Sequence, residues 1–243
     1  MIIQNTLKLA SKILKHKNIT SHQLDAEIIL ADLMGVKREF FILNNKLDIS
    51  ESLLKKYNYA ISRRSKYEPV AYITGKKEFW SEDFLLNKST LIPRPETELL
   101  IYKVISILKN KKLNILDIGT GSGCILLSIL KELNFSRGIG IDISSKAIHM
   151  AKINSKNMKL VNRSSFKVID LKNFNLGKYD LIVSNPPYIQ SRDIKNLSKD
   201  IINYEPLSAL NGGIDGLDLI KKVIYKSNFL LKKKGDACLR NWP

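Results

Sequence analysis

Asn185-Pro186-Pro187-Tyr188 is the segment of this chain whose residue types point most directly to chemistry. It follows the largely apolar run Tyr179-Asp180-Leu181-Ile182-Val183-Ser184. Neither proline has an N–H, so the pair cannot continue a hydrogen-bond ladder and instead stiffens a turn at the end of that run. The Asn185 side-chain oxygen and the Pro186 carbonyl are two acceptors, matching the two hydrogens of a planar NH₂ group, and Tyr188 offers an aromatic face to hold its plane. Such a corner aligns a nitrogen with a methyl donor and stabilises the positive charge that develops on it. The proton can leave after the nitrogen has attacked, so no general base is nominated.

A second constellation precedes it. Ile115-Leu116-Asp117-Ile118-Gly119-Thr120-Gly121-Ser122-Gly123-Cys124-Ile125 reads as an apolar strand, a glycine-dense turn and the start of a helix. Glycines permit a sharp turn and let backbone N–H groups approach a ligand without obstruction by a Cβ. The spacing is G-x-G-x-G rather than the G-x-G-x-x-G of dinucleotide binders. Nineteen residues past Gly123 the next apolar run ends in Asp142, a carboxylate able to accept from both hydroxyls of a ribose. A third run ends at Asp170-Leu171, where a carboxylate meets an adenine edge and an apolar side chain its face. Without a Walker lysine or pyrophosphate spacing, the pattern favours S-adenosylmethionine over NAD or ATP. Cys124 reads as a small packing residue, since no partner base accompanies it.

The elements that must position these residues follow from periodicity. From Met1 to about Tyr67 apolar residues recur at helical spacing. Thr20-Ser21-His22-Gln23 predicts a capping box before a helix with Leu24, Ile28, Ala31 and Leu33 near one face. Ser50 predicts an N-cap for a helix bearing Leu53, Leu54, Tyr57 and Ile61. Glu68-Pro69 ends the last long helix, and Lys77 to Asn87 predicts a β-hairpin. From Asn114 onward, short apolar runs at Ile115–Ile118, Gly138–Ile141, Phe166–Ile169 and Leu181–Val183 alternate with helical stretches. That alternation predicts a doubly wound α/β domain, whose ligands bind at the carboxyl ends of its parallel strands.

Composition narrows the class. The chain has 243 residues, 44% hydrophobic and 26% charged, which suits a folded chain with a real core rather than a disordered one. The net charge of +17 raises a nucleic-acid hypothesis, but 32 of the 40 basic residues are Lys. Lys, Ile and Asn together make 84 positions, the mark of an A/T-rich coding bias, whereas specific recognition favours the planar fork of Arg. Cys124 and Cys238 lie far apart and His16, His22 and His149 are scattered, so no metal site or disulfide is expected. No segment approaches the about 18 apolar residues of a membrane span, and a cytoplasmic monomer without a membrane or specific nucleic-acid partner is expected.

The sequence resembles the PrmC/HemK family of release-factor glutamine methyltransferases. The matching pieces are the helical N-terminal part, Pro69-Val70-Ala71-Tyr72-Ile73-Thr74-Gly75 with Glu78-Phe79-Trp80, Leu91-Ile92-Pro93-Arg94-Pro95-Glu96-Thr97-Glu98, the glycine turn, Ser184 to Ile189, and Asn203-Tyr204-Glu205-Pro206. N-P-P-Y alone also resembles DNA and RNA amino-methyltransferases, and the segment Ile92 to Glu98 plus the helical part separates them. The resemblance implies a Rossmann-like class I S-adenosylmethionine-dependent methyltransferase domain at 91–243, a hairpin linker at 77–90 and a helical release-factor-binding domain at 1–76. It implies methylation of the side-chain amide of Gln in the Gly-Gly-Gln tripeptide of class 1 peptide-chain release factors. It also implies that Gly119, Thr120, Gly121, Ser122 and Gly123 contact the cofactor, Asp142 its ribose, and Asp170 and Leu171 the adenine region. Asn185 to Tyr188 would hold the glutamine, with Asn185 also beside the cofactor and Arg94 among the substrate-binding residues. Thr97 or Glu98 would sit beside the cationic methionyl end, although acids in a first helical turn also suit the helix dipole.

The match departs in two places. Leu171 stands where the family often carries an aromatic residue, which weakens adenine stacking. The segment Gly235 to Pro243 begins where a fifth strand belongs but lacks its apolar run and the expected Leu-Glu-x-Gly ending, so the domain reads as C-terminally truncated, with an uncovered sheet edge. Two alternatives therefore stand beside an active methyltransferase: a truncated, non-catalytic relic of the family, and a DNA or RNA amino-methyltransferase.

Overall fold

The computed structural model describes residues 1–108 and 111–240 and divides into two compact units. Unit 1 comprises Met1–Gly75 and Ser198–Tyr204; unit 2 comprises Lys76–Leu197 and the chain from Glu205 onward. Unit 1 holds α1 (Ile3–His16), α2 (His22–Met34), α3 (Phe40–Leu43), α4 (Glu51–Arg64) and α5 (Val70–Thr74). Its core gathers Ile3, Leu14, Ala26, Ile29, Leu30, Phe41, Tyr57 and Ile61. The Tyr57 hydroxyl donates to the Ala26 carbonyl at 3.0 Å, so the one polar atom of the largest core side chain is satisfied.

Ser50 caps α4 as its sequence predicts, accepting from the Leu53 N–H. The box before α2 does not form. Ser21 occupies the N-cap position, but its hydroxyl donates to Asp25, whose carboxylate also receives the Arg64 Nε at 2.7 Å. That buried ion pair sets the helix phase: Asp25, Ala26, Ile29, Leu30 and Ala31 turn inward while Leu24 is exposed. The expected Leu24 face is corrected accordingly. Burying a charged pair requires both partners, so the helix rotates to join them.

Unit 2 opens with β1 (Lys76–Phe79) and β2 (Glu82–Leu85), an antiparallel hairpin. Its two loop residues, Trp80 and Ser81, both have positive φ, the type I′ geometry whose twist matches the strands. The hairpin lies within this unit, where the Glu98 carboxylate accepts the Trp80 N–H and Glu132 accepts its indole N–H, each at 2.8 Å.

The remainder alternates α6 (Glu98–Leu108), β3 (Asn114–Ile118), α7 (Cys124–Glu132), β4 (Arg137–Asp142), α8 (Ser145–Asn157), β5 (Ser164–Val168) and β6 (Tyr179–Ser184). After α9 (Lys199–Tyr204), which counts with unit 1, come α10 (Asp218–Leu230) and β7 (Leu231–Leu239). The sheet is parallel throughout, in the order β5-β4-β3-β6-β7. The chain therefore runs outward from β3 to β5, crosses back, and runs outward again from β6 to β7. The reversal lies between β3 and β6, and at such a switch point an open α/β sheet leaves a crevice outside its strand ends.

β7 corrects the expectation of a missing fifth strand. Asp236, Ala237, Cys238 and Leu239 lie in register with Leu181, Ile182, Val183 and Ser184. Gly235 sits at the register shift, where a Cβ would meet the Tyr179 carbonyl oxygen at 2.8 Å. An edge strand needs hydrogen bonds on one side only, so the polar Lys232-Lys233-Lys234 stretch is no obstacle. Residues 241–243 of the tail lie outside the described residues. Among the described residues no helix is long and apolar enough to cross a membrane.

Candidate active site at the β3/β6 switch point

Two loops leave the sheet on either side of the reversal. Ile118 and Ser184, the last residues of β3 and β6, are paired, and the buried Ser184 hydroxyl donates to the Ile118 carbonyl at 2.7 Å. Gly119 and Asn185 begin the two loops directly after this bond. The sequence marks both loops but gives no sign of the stitch, because a strand-end serine is unremarkable until its neighbour is known.

The loop after β3 is braced through its backbone, although the buried Ser122 hydroxyl has no hydrogen-bond partner among the described residues. Gly119, Gly121 and Gly123 all have positive φ, which a side chain would strain. Beside Gly119 and Gly121 the space where a Cβ would lie is open, so a ligand can approach the backbone there. Gly119 and Thr120 donate their N–H groups to the Ile141 carbonyl of β4. The Thr120 hydroxyl donates to Asp117 at 2.6 Å, and the Gly121 N–H donates to Asp142 at 3.0 Å. The Ser122 carbonyl accepts from Asn154 of α8, whose amide also bonds both backbone groups of Leu85. An amide on the otherwise apolar Ala147, Ile148, Ala151 face of α8 was the available signal for this brace.

Burial pushes the Asp117 carboxyl up to about 7, against the pull of the Thr120 hydroxyl. Cys124 is driven the same way, its thiol pushed up to about 12 by burial, which leaves it a packing residue with no thiolate character. Asp142 stands at the end of β4 with its carboxylate oriented by two backbone N–H groups, of Gly121 and of Ser144. Asp170 is exposed and caps the short 3-10 turn Leu171–Asn173 by accepting from Lys172. Leu171 is buried against Leu116, Ile118 and Ile141, so it belongs at least in part to the core.

The loop after β6 is different. Asn185 Oδ1 is buried and has no hydrogen-bond partner among the described residues. A buried acceptor left open costs roughly 1–3 kcal/mol, which a folded chain keeps where a ligand is to supply the missing donor. Pro186 is buried beside it, and Tyr188 lies under the Arg240 guanidinium with 5.7 Å between Cζ and the ring centroid.

Three expected site residues have partners within the protein. The Arg94 guanidinium is bound to Glu205 at 2.6 Å, and Glu205 also accepts the Ile92 N–H, so Arg94 staples the Ile92–Arg94 segment to Glu205. Glu205 is almost fully buried and holds this ion pair from the Asn203–Pro206 motif, a partnership the sequence does not announce. Glu98 holds the Trp80 N–H of the hairpin. Thr97 is buried, its hydroxyl accepting from Arg240 at 2.9 Å.

Against known proteins, the PrmC N-terminal domain model matches residues 5–75 and a methyltransferase domain model matches residues 109–235. The release factor glutamine methyltransferase of Buchnera aphidicola subsp. Schizaphis graminum is 41% identical over 235 residues, 97% of this chain and 84% of that protein. This chain belongs to the release factor glutamine methyltransferase family. A second member, from Clostridium acetobutylicum, is 39% identical over 239 residues, again spanning 97% of this chain and 84% of the relative. The match places both loops of the switch point inside a methyltransferase domain of this family.

Proposed function

We propose that this chain methylates the side-chain amide nitrogen of a glutamine, within the Gly-Gly-Gln tripeptide of class 1 peptide-chain release factors, in the cytoplasm. The observation that carries the reading is the orphaned, buried Asn185 Oδ1 at the head of a proline-stiffened corner. An amide NH₂ is the donor that such an acceptor lacks. The Pro186 carbonyl takes the second hydrogen, and the Tyr188 ring holds the amide plane. Accepting both N–H bonds enriches the nitrogen and stabilises the positive charge it gains on methylation; the surplus proton then leaves to solvent.

The residues present fit S-adenosylmethionine. The open approach to Gly119 and Gly121 and the pre-oriented Asp142 carboxylate, 21 positions along the chain from Gly121, suit the adenosine portion. Gly119 to Gly123 would hold it by backbone, and Asp142 would take the ribose hydroxyls, with Asp170 and Leu171 toward the base. When bound, the cofactor supplies an electrophilic methyl group on a sulfonium. The chain's part is to fix the amide, because Ser184 locks the two loop origins together and the prolines remove slack.

Purified protein incubated with methyl-labelled S-adenosylmethionine and either a release factor or adenine-containing DNA tests this. Label on the tripeptide glutamine is expected; label on DNA alone overturns it.

A further inference from the structure

Arg240 is the strongest unassigned feature. It follows Leu239, the last residue of β7, and its N–H donates to the Ser184 carbonyl at 3.0 Å, which fixes its position one residue before the Asn-Pro-Pro-Tyr corner. The side chain is only 9% exposed. A cation so far removed from water requires partners on several sides. It has three, all in unit 2. Nη1 donates to the Thr97 hydroxyl at 2.9 Å, Nη2 lies 3.6 Å from the Glu96 carboxylate, and the guanidinium covers the Tyr188 ring at 5.7 Å.

Those partners come from two segments far apart in sequence, the Pro95–Thr97 turn that opens α6 and the corner after β6. A planar fork can bond a hydroxyl in its own plane while its flat face lies on an aromatic ring; an ammonium has no flat face to stack and fixes neither direction as firmly. We propose that Arg240 is a positioning residue for the methyl-transfer site, clamping the Tyr188 ring against the Pro95–Thr97 turn so that the corner presents its acceptors in one arrangement. It touches no reacting atom. The role rests on the reading of Asn185 to Tyr188 as the amide-holding corner.

Arg240→Gln, Arg240→Lys and Thr97→Val test it, with rates expressed per cofactor-binding molecule, counted by titration with S-adenosylhomocysteine. Arg240→Gln is expected to lower kcat about tenfold, the scale of a displaced positioning group, with the KM for S-adenosylmethionine changed less than about threefold. Arg240→Lys should recover only part of that loss, and Thr97→Val should lower kcat by about threefold. A kcat for Arg240→Gln within about twofold of the parent overturns the proposal, as does full recovery in Arg240→Lys, or an Arg240→Gln protein that binds no cofactor.

The clamp is also read without turnover, from the NMR signals of the Tyr188 ring, assigned by their loss in Tyr188→Leu. They should move in Arg240→Gln and in Thr97→Val, and unmoved signals overturn the clamp. A parent protein whose ring signals respond in this way but which puts no methyl on a release factor defeats the substrate assignment and leaves the clamp standing. A parent that methylates while the ring is indifferent to Arg240 does the reverse.

Discussion

The two loops at the switch point are held in shape by different means. After β3, the turn is braced by bonds to protein: the Thr120 hydroxyl to Asp117, the Gly121 N–H to Asp142 and the Ser122 carbonyl to Asn154, while the buried Ser122 hydroxyl has no hydrogen-bond partner among the described residues. After β6, the backbone is stiffened by two prolines and the central side-chain oxygen is left open. A loop braced by its own backbone bonds holds a shape into which a ligand settles, whereas an unsatisfied acceptor in a proline-stiffened corner is a demand that only a donor of the right geometry meets. The first suits a cofactor, the second a substrate whose charge changes during reaction.

The largest effect should come from the open side. Asn185→Ala removes an acceptor aimed at developing charge and is expected to lower kcat by about 10²–10³ while leaving cofactor affinity within about threefold. Steady-state kinetics with a release factor, paired with calorimetric titration of cofactor, would reveal it; equal losses in both would erase the distinction between the loops. Next comes the glycine loop. Asp142→Ala removes two backbone hydrogen bonds along with the proposed ribose contact, so cofactor Kd should weaken by about 30-fold, near 2 kcal/mol. An affinity unchanged by titration calorimetry would remove Asp142 from the cofactor site.

Asp117 sharpens the contrast through pH. Its carboxyl is held protonated up to about 7 by burial, whereas the unfolded chain ionises it near 3.8. The stability this lends is therefore fully present below about 4 and is used up as pH rises through about 7. Asp117→Asn stays neutral throughout, so its stability relative to the parent should rise over that window and level off above it, as read by urea melts at several pH values. A constant difference across the range would show that the carboxyl ionises normally inside the fold.

The smallest effect lies at the other end of β6. Burial pushes Asp180 upward, but the Lys232 ammonium and the Asn114 N–H outweigh it and hold it below its ordinary range. This pair joins β6 to β7 in solvent, so Lys232→Met should cost no more than about 1 kcal/mol, and less in high salt. Because the depressed carboxylate contributes stability above its unfolded value, the difference should vanish as pH falls through the folded one. A larger, salt-insensitive loss would mean that β7 depends on this contact for its place.

How much of this the sequence carried depends on the range over which each feature is decided. β3 to β6, the glycine turn and the proline corner are set by neighbours within a few residues, and all appear where the pattern places them. The phase of α2 is not local, since Asp25 answers to Arg64, 39 positions on. Arg94 and Arg240 are paired over separations of 111 and 143 residues, and nothing in either flanking sequence names the partner. β7 was hidden for another reason. Lys232, Lys233, Lys234 and Asp236 break up its apolar residues and little of it is buried, whereas periodicity reads burial rather than pairing.

That edge has a consequence for the protein in company with itself. Among the described residues the margins of the sheet are β5 and β7, and they carry exposed lysines, Lys167 on the one and Lys233 with Lys234 on the other. Two copies approaching margin to margin would bring like charges together before a single ladder bond formed. These few lysines oppose ladder pairing between copies, an effect that rising ionic strength screens.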